Sequence, residues 1–184
     1  MESTSRFDHF IESFTQLIEQ GASEEQVFSD GKALMVDLVS NDDWLPEEFA
    51  QPSESTYQQF LLHCDPQDRF SVASFVWGPG QTTPVHDHTV WGMVGILRGA
   101  ETCDEYAVSD DGIRHLGQHL LNPGEVDLVS PTVGDVHKVS NAHEDKVSIS
   151  IHVYGADIGK VQRHTFNPET GTPADFISGY TNRA

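Results

Sequence analysis

Apolar residues over the first 45 positions recur at spacings of three and four. Phe7, Phe10, Ile11, Phe14, Leu17 and Ile18 fall on one stripe of a helix, which Gly21 ends. Ser23, with Gln26 three residues on, is a capping-box start for a second helix. Its apolar face continues through Val27, Phe28, Leu34 and Leu38, and Trp44-Leu45-Pro46 closes the helical part. From about Tyr57 the period changes. Short β-rich runs follow at Phe70–Trp77, Trp91–Leu97, Thr102–Val108, His115–Leu121, Glu125–Val129, Val147–Val153 and Val161–Phe166. Gly78-Pro79-Gly80, Arg98-Gly99, Asp110-Asp111-Gly112, Asn122-Pro123-Gly124 and 141–145 supply the turns between them. Many short strands without alternating helices predict an antiparallel sandwich or small barrel, not a parallel α/β sheet. The pattern predicts one mostly β domain over 1–184: helices in 1–50 packed outside a β-barrel at 57–166, then an irregular strap at 167–184.

Composition narrows the partners. The chain has 29 Asp plus Glu against 10 Lys plus Arg, a formal charge of −19. A protein this acidic gains nothing from phosphate counterion release and is repelled by anionic lipid, so nucleic acid and membranes are excluded as expected partners and a small soluble substrate is favoured. The two cysteines, Cys64 and Cys103, are too few for a disulfide framework and are read as structural or incidental. Met1–Arg6 has no basic region leading into an apolar stretch, and no run of 18 apolar residues occurs. A cytoplasmic location is the expectation. Oligomeric state is left open.

Ten histidines equal all the Lys and Arg together. His86 and His88 stand at i and i+2 after a Gly/Pro turn, a spacing that sends both rings to one face of a strand. A His-x-His pair alone is equally compatible with an ordinary surface strand. The second segment, Pro131-Thr-Val-Gly134-Asp-Val-His137-Lys-Val-Ser-Asn141, adds a third candidate. Gly80, His86, His88 and Gly99, followed by Gly124, Pro131, Gly134, His137 and Asn141, resemble the two cupin motifs, with one extra residue between Pro131 and Gly134. The resemblance spans about 57–166. It implies a jelly-roll-like β-barrel in which His86, His88 and His137 bind one divalent metal.

Val147–Tyr154 alternates strictly, placing Ser148, Ser150, His152 and Tyr154 on one face. Alternation alone would turn that face to solvent. In a barrel with a metal in its lumen the sense can invert, and Ser150, His152 and Tyr154 then form a hydrogen-bond line with the phenol at its tip.

The cupin pattern usually supplies a ligating Glu after the His pair, and Gly92 stands in its place. Three His without a carboxylate, followed by Ser150-x-His152-x-Tyr154, resemble the thiol dioxygenases of the cysteine dioxygenase family. That resemblance implies one Fe(II) per chain and the addition of both atoms of O2 to a thiol sulfur, giving a sulfinic acid. Mammalian members carry Cys where Gly92 stands and cross-link it to the Tyr; Gly92 excludes that bond. They also hold the substrate carboxylate with an Arg at the position of Gln59. Arg163, beyond the Tyr154 strand, offers an alternative fork. The pair Gln59 and Arg163 is similar to bacterial 3-mercaptopropionate dioxygenases, which favours 3-mercaptopropionate over L-cysteine. A surface ion pair is the competing reading of Arg163. His9, His63, His115, His119, His143 and His164 have no motif around them and are read as surface or packing residues. Another metal-dependent cupin enzyme, an isomerase or a carbon-substrate dioxygenase, and a non-catalytic ligand-binding cupin remain as alternatives. The first of these would need no Ser-His-Tyr line.

Overall fold

A computed structural model describes residues 5–183, so the reading of Met1–Thr4 falls outside the described residues. Two helical segments precede two antiparallel sheets. Helix α1 (Arg6–Glu19) opens on Ser5, which forms a capping box with Asp8 and fills donors that the first turn leaves free. Helix α2 (Glu24–Gln26), capped by Ser23 and Gln26 as expected, runs through a π-turn at Val27–Gly31 into α3 (Lys32–Val39). At Gly31 any Cβ would come within 2.9 Å of the Phe14 ring, so the wide turn lets the helices touch. Trp44 stacks on Phe7 with ring centroids 5.1 Å apart and closes this layer.

One sheet has the order β1 (Gln58–Cys64), β2 (Ser71–Trp77), β9 (Ser148–Tyr154), β4 (Gly92–Arg98), β7 (Val126–Val129). The other runs β11 (Pro173–Phe176), β10 (Arg163–Phe166), β3 (Val85–His86), β8 (Val136–Asn141), β5 (Glu101–Ser109), β6 (Gly112–Leu121). The mostly β expectation holds. β2 and β9 are buried at every position because both faces of their sheet are covered. Val72, Val76, Ile149, Ile151 and Val153 pack outward with Phe10, Phe14, Met35 and Leu38 of the helices. Ser150, His152 and Tyr154 take the opposite face, so the polar side of this strand points inward, not to solvent.

The strap expected at 167–184 is corrected in part. Residues 173–176 form strand β11 against β10, in register Arg163 with Phe176. Beyond it, Thr181 accepts from Gln59 N and donates its own N–H to Gln59 O, while Asn182 Oδ1 accepts from Leu61 N. This segment satisfies the free edge of β1, which an irregular strap would leave open. Gln58–Cys64 is likewise a strand, one that the hydrophobic pattern does not single out.

Candidate metal centre and substrate pocket

β3 is two residues long and pairs His86 with His137 of β8. That register sets the imidazoles of two motifs, fifty-odd positions apart in sequence, side by side. His88 follows, and the three ring centroids are 4.8–4.9 Å apart in every pairing. One ligand atom from each lies within 4.8 Å of the others, the separation that a shared ion requires.

Each ring is held from behind. Pro84 O accepts from His86 Nδ1 at 3.0 Å, and Asp135 Oδ1 accepts from His88 Nδ1 at 3.0 Å. Cys103 Sγ stands 3.4 Å from His137 Nδ1. These contacts leave Nε2 of each ring for a metal. His88 Nε2 is buried with no hydrogen-bond partner, an arrangement that is costly unless a cation takes the lone pair. Burial, and then the neighbouring His88, drives the pKa of His86 down to about 3, and the same causes take His137 well below its ordinary value. Both are therefore neutral ligands at physiological pH. Burial works to raise Asp135, but the hydrogen bond from His88 and the amides of His88 and Thr89 outweigh it and keep the carboxylate ionised. The donor set fits a borderline divalent ion with open positions.

Asp87, between the two ligands, turns the other way. It accepts from the backbone N–H and from Nδ1 of His164, both at 2.8 Å, and so ties β10 to the metal strand. His115 and His119 pair with Asp104 and Asp127 at 2.9 Å each. His63 packs beside Phe70, with centroids 5.4 Å apart.

A cavity of about 160 Å³ opens beside His86 and His137, walled by Tyr154, Gln59, Arg163 and Phe176. Ser150 Oγ is 2.8 Å from His152 Nε2, and His152 Nδ1 is 2.7 Å from Tyr154 Oη, so the line expected from alternation is formed. Phe75 stacks on the His152 ring at 3.9 Å and fixes its plane. Burial keeps the Tyr154 phenol protonated by raising its pKa, and keeps His152 neutral by lowering its own. Gly92 is the register partner of Tyr154.

Arg163 is only 4% exposed. Its guanidinium lies 4.6 Å over the Phe176 ring and donates to Ser178 Oγ at 2.8 Å, while Nε has no partner. The surface ion pair considered for it is not formed: among the described residues no carboxylate lies within 4.0 Å of Arg163. Gln59 reaches the same Ser178 hydroxyl at 3.4 Å. Gln59 and Arg163 thus meet through a third residue, Ser178, that lies in the expected strap.

The family model for Cysteine dioxygenase type I matches residues 3–166. The chain belongs to that family. A cysteine dioxygenase family relative, zebrafish (Danio rerio) cysteine dioxygenase type 1, is 26% identical over 144 residues, covering 75% of this chain and 69% of that protein. Solved structures with a similar fold include a double-stranded β-helix protein from Klebsiella pneumoniae, 18% identical, covering 70% of this chain and 91% of that one at a TM-score of 0.43. A cupin superfamily protein from Desulfitobacterium hafniense is 15% identical, covering 58% and 84% at a TM-score of 0.44.

Several residues that shape the site carry no motif of their own. Cys103 behind His137, Trp77 donating to Ser150 Oγ at 3.2 Å, and Ser178 are brought in by topology alone. Asp135 was the detectable one, since it stands inside the second motif two residues before His137.

Proposed function

We propose that this protein is a mononuclear non-haem iron thiol dioxygenase of the cytoplasm. It converts a short mercapto-acid, 3-mercaptopropionate ahead of L-cysteine, and O2 to the sulfinic acid: RSH + O2 → RSO2H. The observation that carries the reading is a three-histidine cluster, two of whose rings border one small cavity together with a buried phenol and a guanidinium whose Nε has no partner.

His86, His88 and His137 would hold the ion as neutral donors. Bound there, Fe(II) supplies Lewis acidity toward a thiol and the electrons needed to activate O2. Arg163 binds the substrate carboxylate, with Nε and the outer nitrogens forming the fork and Phe176 holding its plane. Burial lowers the Arg163 pKa, yet the group stays cationic because an arginine starts so high. A chain of charge −19 therefore presents a local positive pocket to a monoanion. Tyr154 holds its hydroxyl over the reacting end, fixed by His152. The aromatic walls exclude water from the sulfur.

Cavity size supports a short substrate, since 160 Å³ holds roughly five water-sized groups. Substrate choice is supported by what lines it. The wall contains no Asp or Glu, so the α-ammonium of cysteine would meet no carboxylate, whereas 3-mercaptopropionate has no amine to satisfy. Metal analysis with an oxygen electrode tests the reading. Iron near one per chain is expected, with thiol-dependent O2 uptake and a higher kcat/KM for 3-mercaptopropionate than for L-cysteine. An iron-loaded sample inert toward 3-mercaptopropionate, cysteine, cysteamine and mercaptosuccinate overturns it.

A further inference from the structure

Outside the histidine triad, Cys103, His119 and Asp127 form a second group of donors whose ligand atoms all lie within 4.8 Å of one another. Three strands supply them. Cys103 on β5 and His119 on β6 are register partners, so both side chains stand on one face of their sheet. Asp127 comes from β7 of the opposite sheet, and its Oδ2 accepts from His119 Nε2 at 2.9 Å. The group thus bridges the two sheets. An ordinary surface pair accounts for His119 and Asp127 but leaves the thiol unexplained.

Cys103 is buried, with Ile96 and Leu121 packed beside it. Its sulfur lies 3.4 Å from His137 Nδ1. A sulfur that accepts from that N–H keeps lone-pair capacity for a second partner. A cavity of about 90 Å³ opens next to Cys103 and Asp127, with room for about three waters. Its wall includes Glu105 and Asp135 but no Lys or Arg. The charged groups that act on Cys103 from the surrounding strands, Asp127, Glu105 and Asp104, are all carboxylates. Such a field favours a cation over any other small ligand.

We propose that Cys103, His119 and Asp127 bind a second divalent ion, of the zinc class, separate from the ion of the triad. One sulfur, one nitrogen and one oxygen are three of the four donors of a tetrahedral zinc site, and the cavity leaves the fourth position to water. The thiolate and imidazole disfavour Mg²⁺ and Ca²⁺, and zinc stands above Fe²⁺ in the usual order of affinities. Binding displaces the thiol hydrogen to water, and the ion takes the place of the hydrogen between His119 and Asp127. The filled site ties β5 and β6 to β7. It also backs the triad, because the sulfur that holds the second ion is the one that faces His137 Nδ1.

The test needs no turnover, so it is independent of the function proposed above. Full-length metal-free protein is titrated with Co²⁺ in the absence of O2. Cobalt bound to a thiolate shows a sulfur-to-cobalt charge-transfer band in the near ultraviolet, which a site of three imidazoles lacks. Two equivalents are expected, one of them carrying the band, and Zn²⁺ should displace that one. His119→Ala and Cys103→Ser should each abolish the band and remove one equivalent. His86→Ala should weaken the other equivalent and keep the band. Cys64→Ser, which changes the other thiol of the chain, should alter neither. Absence of the band in the wild type, its survival in His119→Ala, or its loss in Cys64→Ser overturns the proposal. If Cys103→Ser does not fold, His119→Ala decides, since that side chain is partly exposed. Absence of the band-free equivalent alone would instead count against the triad and leave the second site standing.

Discussion

Gly92 lies directly across the β4–β9 pair from Tyr154, and a Cβ at position 92 would stand 2.6 Å from the Tyr154 ring. Val129 closes the other side at 3.0 Å. The phenol fills the volume that a side chain on β4 would otherwise use, so the glycine is required by close approach. Gly92→Ala is expected to push Tyr154 off His152 and lower kcat by on the order of 10- to 100-fold. Iron content should stay at the wild-type level, because Gly92 touches no ligand. Metal analysis run beside steady-state kinetics checks both halves; equal loss of metal and activity would place Gly92 in the metal cradle instead.

Asp135 holds His88 by two routes, accepting from its ring at 3.0 Å and from its backbone N–H at 3.0 Å. Asp135→Ala should weaken metal binding by about 10- to 100-fold, as loss of a ligand-orienting partner does. Asp135→Asn keeps an acceptor oxygen and should fall between. Competition with a coloured chelator measures the affinities, and an unchanged affinity in Asp135→Ala would contradict the role.

For the carboxylate fork, Arg163→Ala is expected to raise KM for mercapto-acids by about 10- to 100-fold, the worth of a charge-assisted hydrogen bond or two. KM for cysteamine, which has no carboxylate, should move far less. Arg163→Lys restores charge without the planar fork and should recover only part of the loss. Equal shifts for both kinds of thiol would remove Arg163 from the site.

The buried titratable groups predict a pH dependence of stability in the metal-free protein. His86 and His137 are neutral when folded and protonate freely when unfolded, so the unfolded state takes up protons as pH falls below 6.5. Stability should therefore drop from pH 6.5 toward about 3, where folded His86 finally protonates. Glu101 acts in the opposite sense: it is protonated when folded and ionised when unfolded, so stability falls as pH rises from 4.5 to about 8. Thermal melts across pH should show a maximum between these limbs. Glu101→Gln should flatten the alkaline side alone.

Most of the strands and the Ser23 capping box were legible in period and turn residues, and the grouping of His86, His88 and His137 through the resemblance of two short segments to a known motif pair. β9 was legible in its alternation but not in its sense, since pattern cannot say which face the helices cover; Phe14 and Met35 decide that. β1 and the end of the chain were not legible. Gln58–Cys64 is half polar, and 173–182 is rich in residues that read as turns; the first is a strand through its pairing with β2, 173–176 through its pairing with β10, and Thr181 and Asn182 close the edge of β1. Glu101 gave no signal either. An acidic residue at the head of a strand reads as solvent-facing until the two sheets close over it.

The segment 173–182 comes after every metal ligand in chain order, yet Phe176 and Ser178 form the wall that steadies Arg163. The histidine triad and the wall beside Arg163 thus sit on separate stretches of chain. Exchanging Phe176 or Ser178 is expected to change the surroundings of Arg163 while leaving the hydrogen bonds that hold His86 and His88 in place.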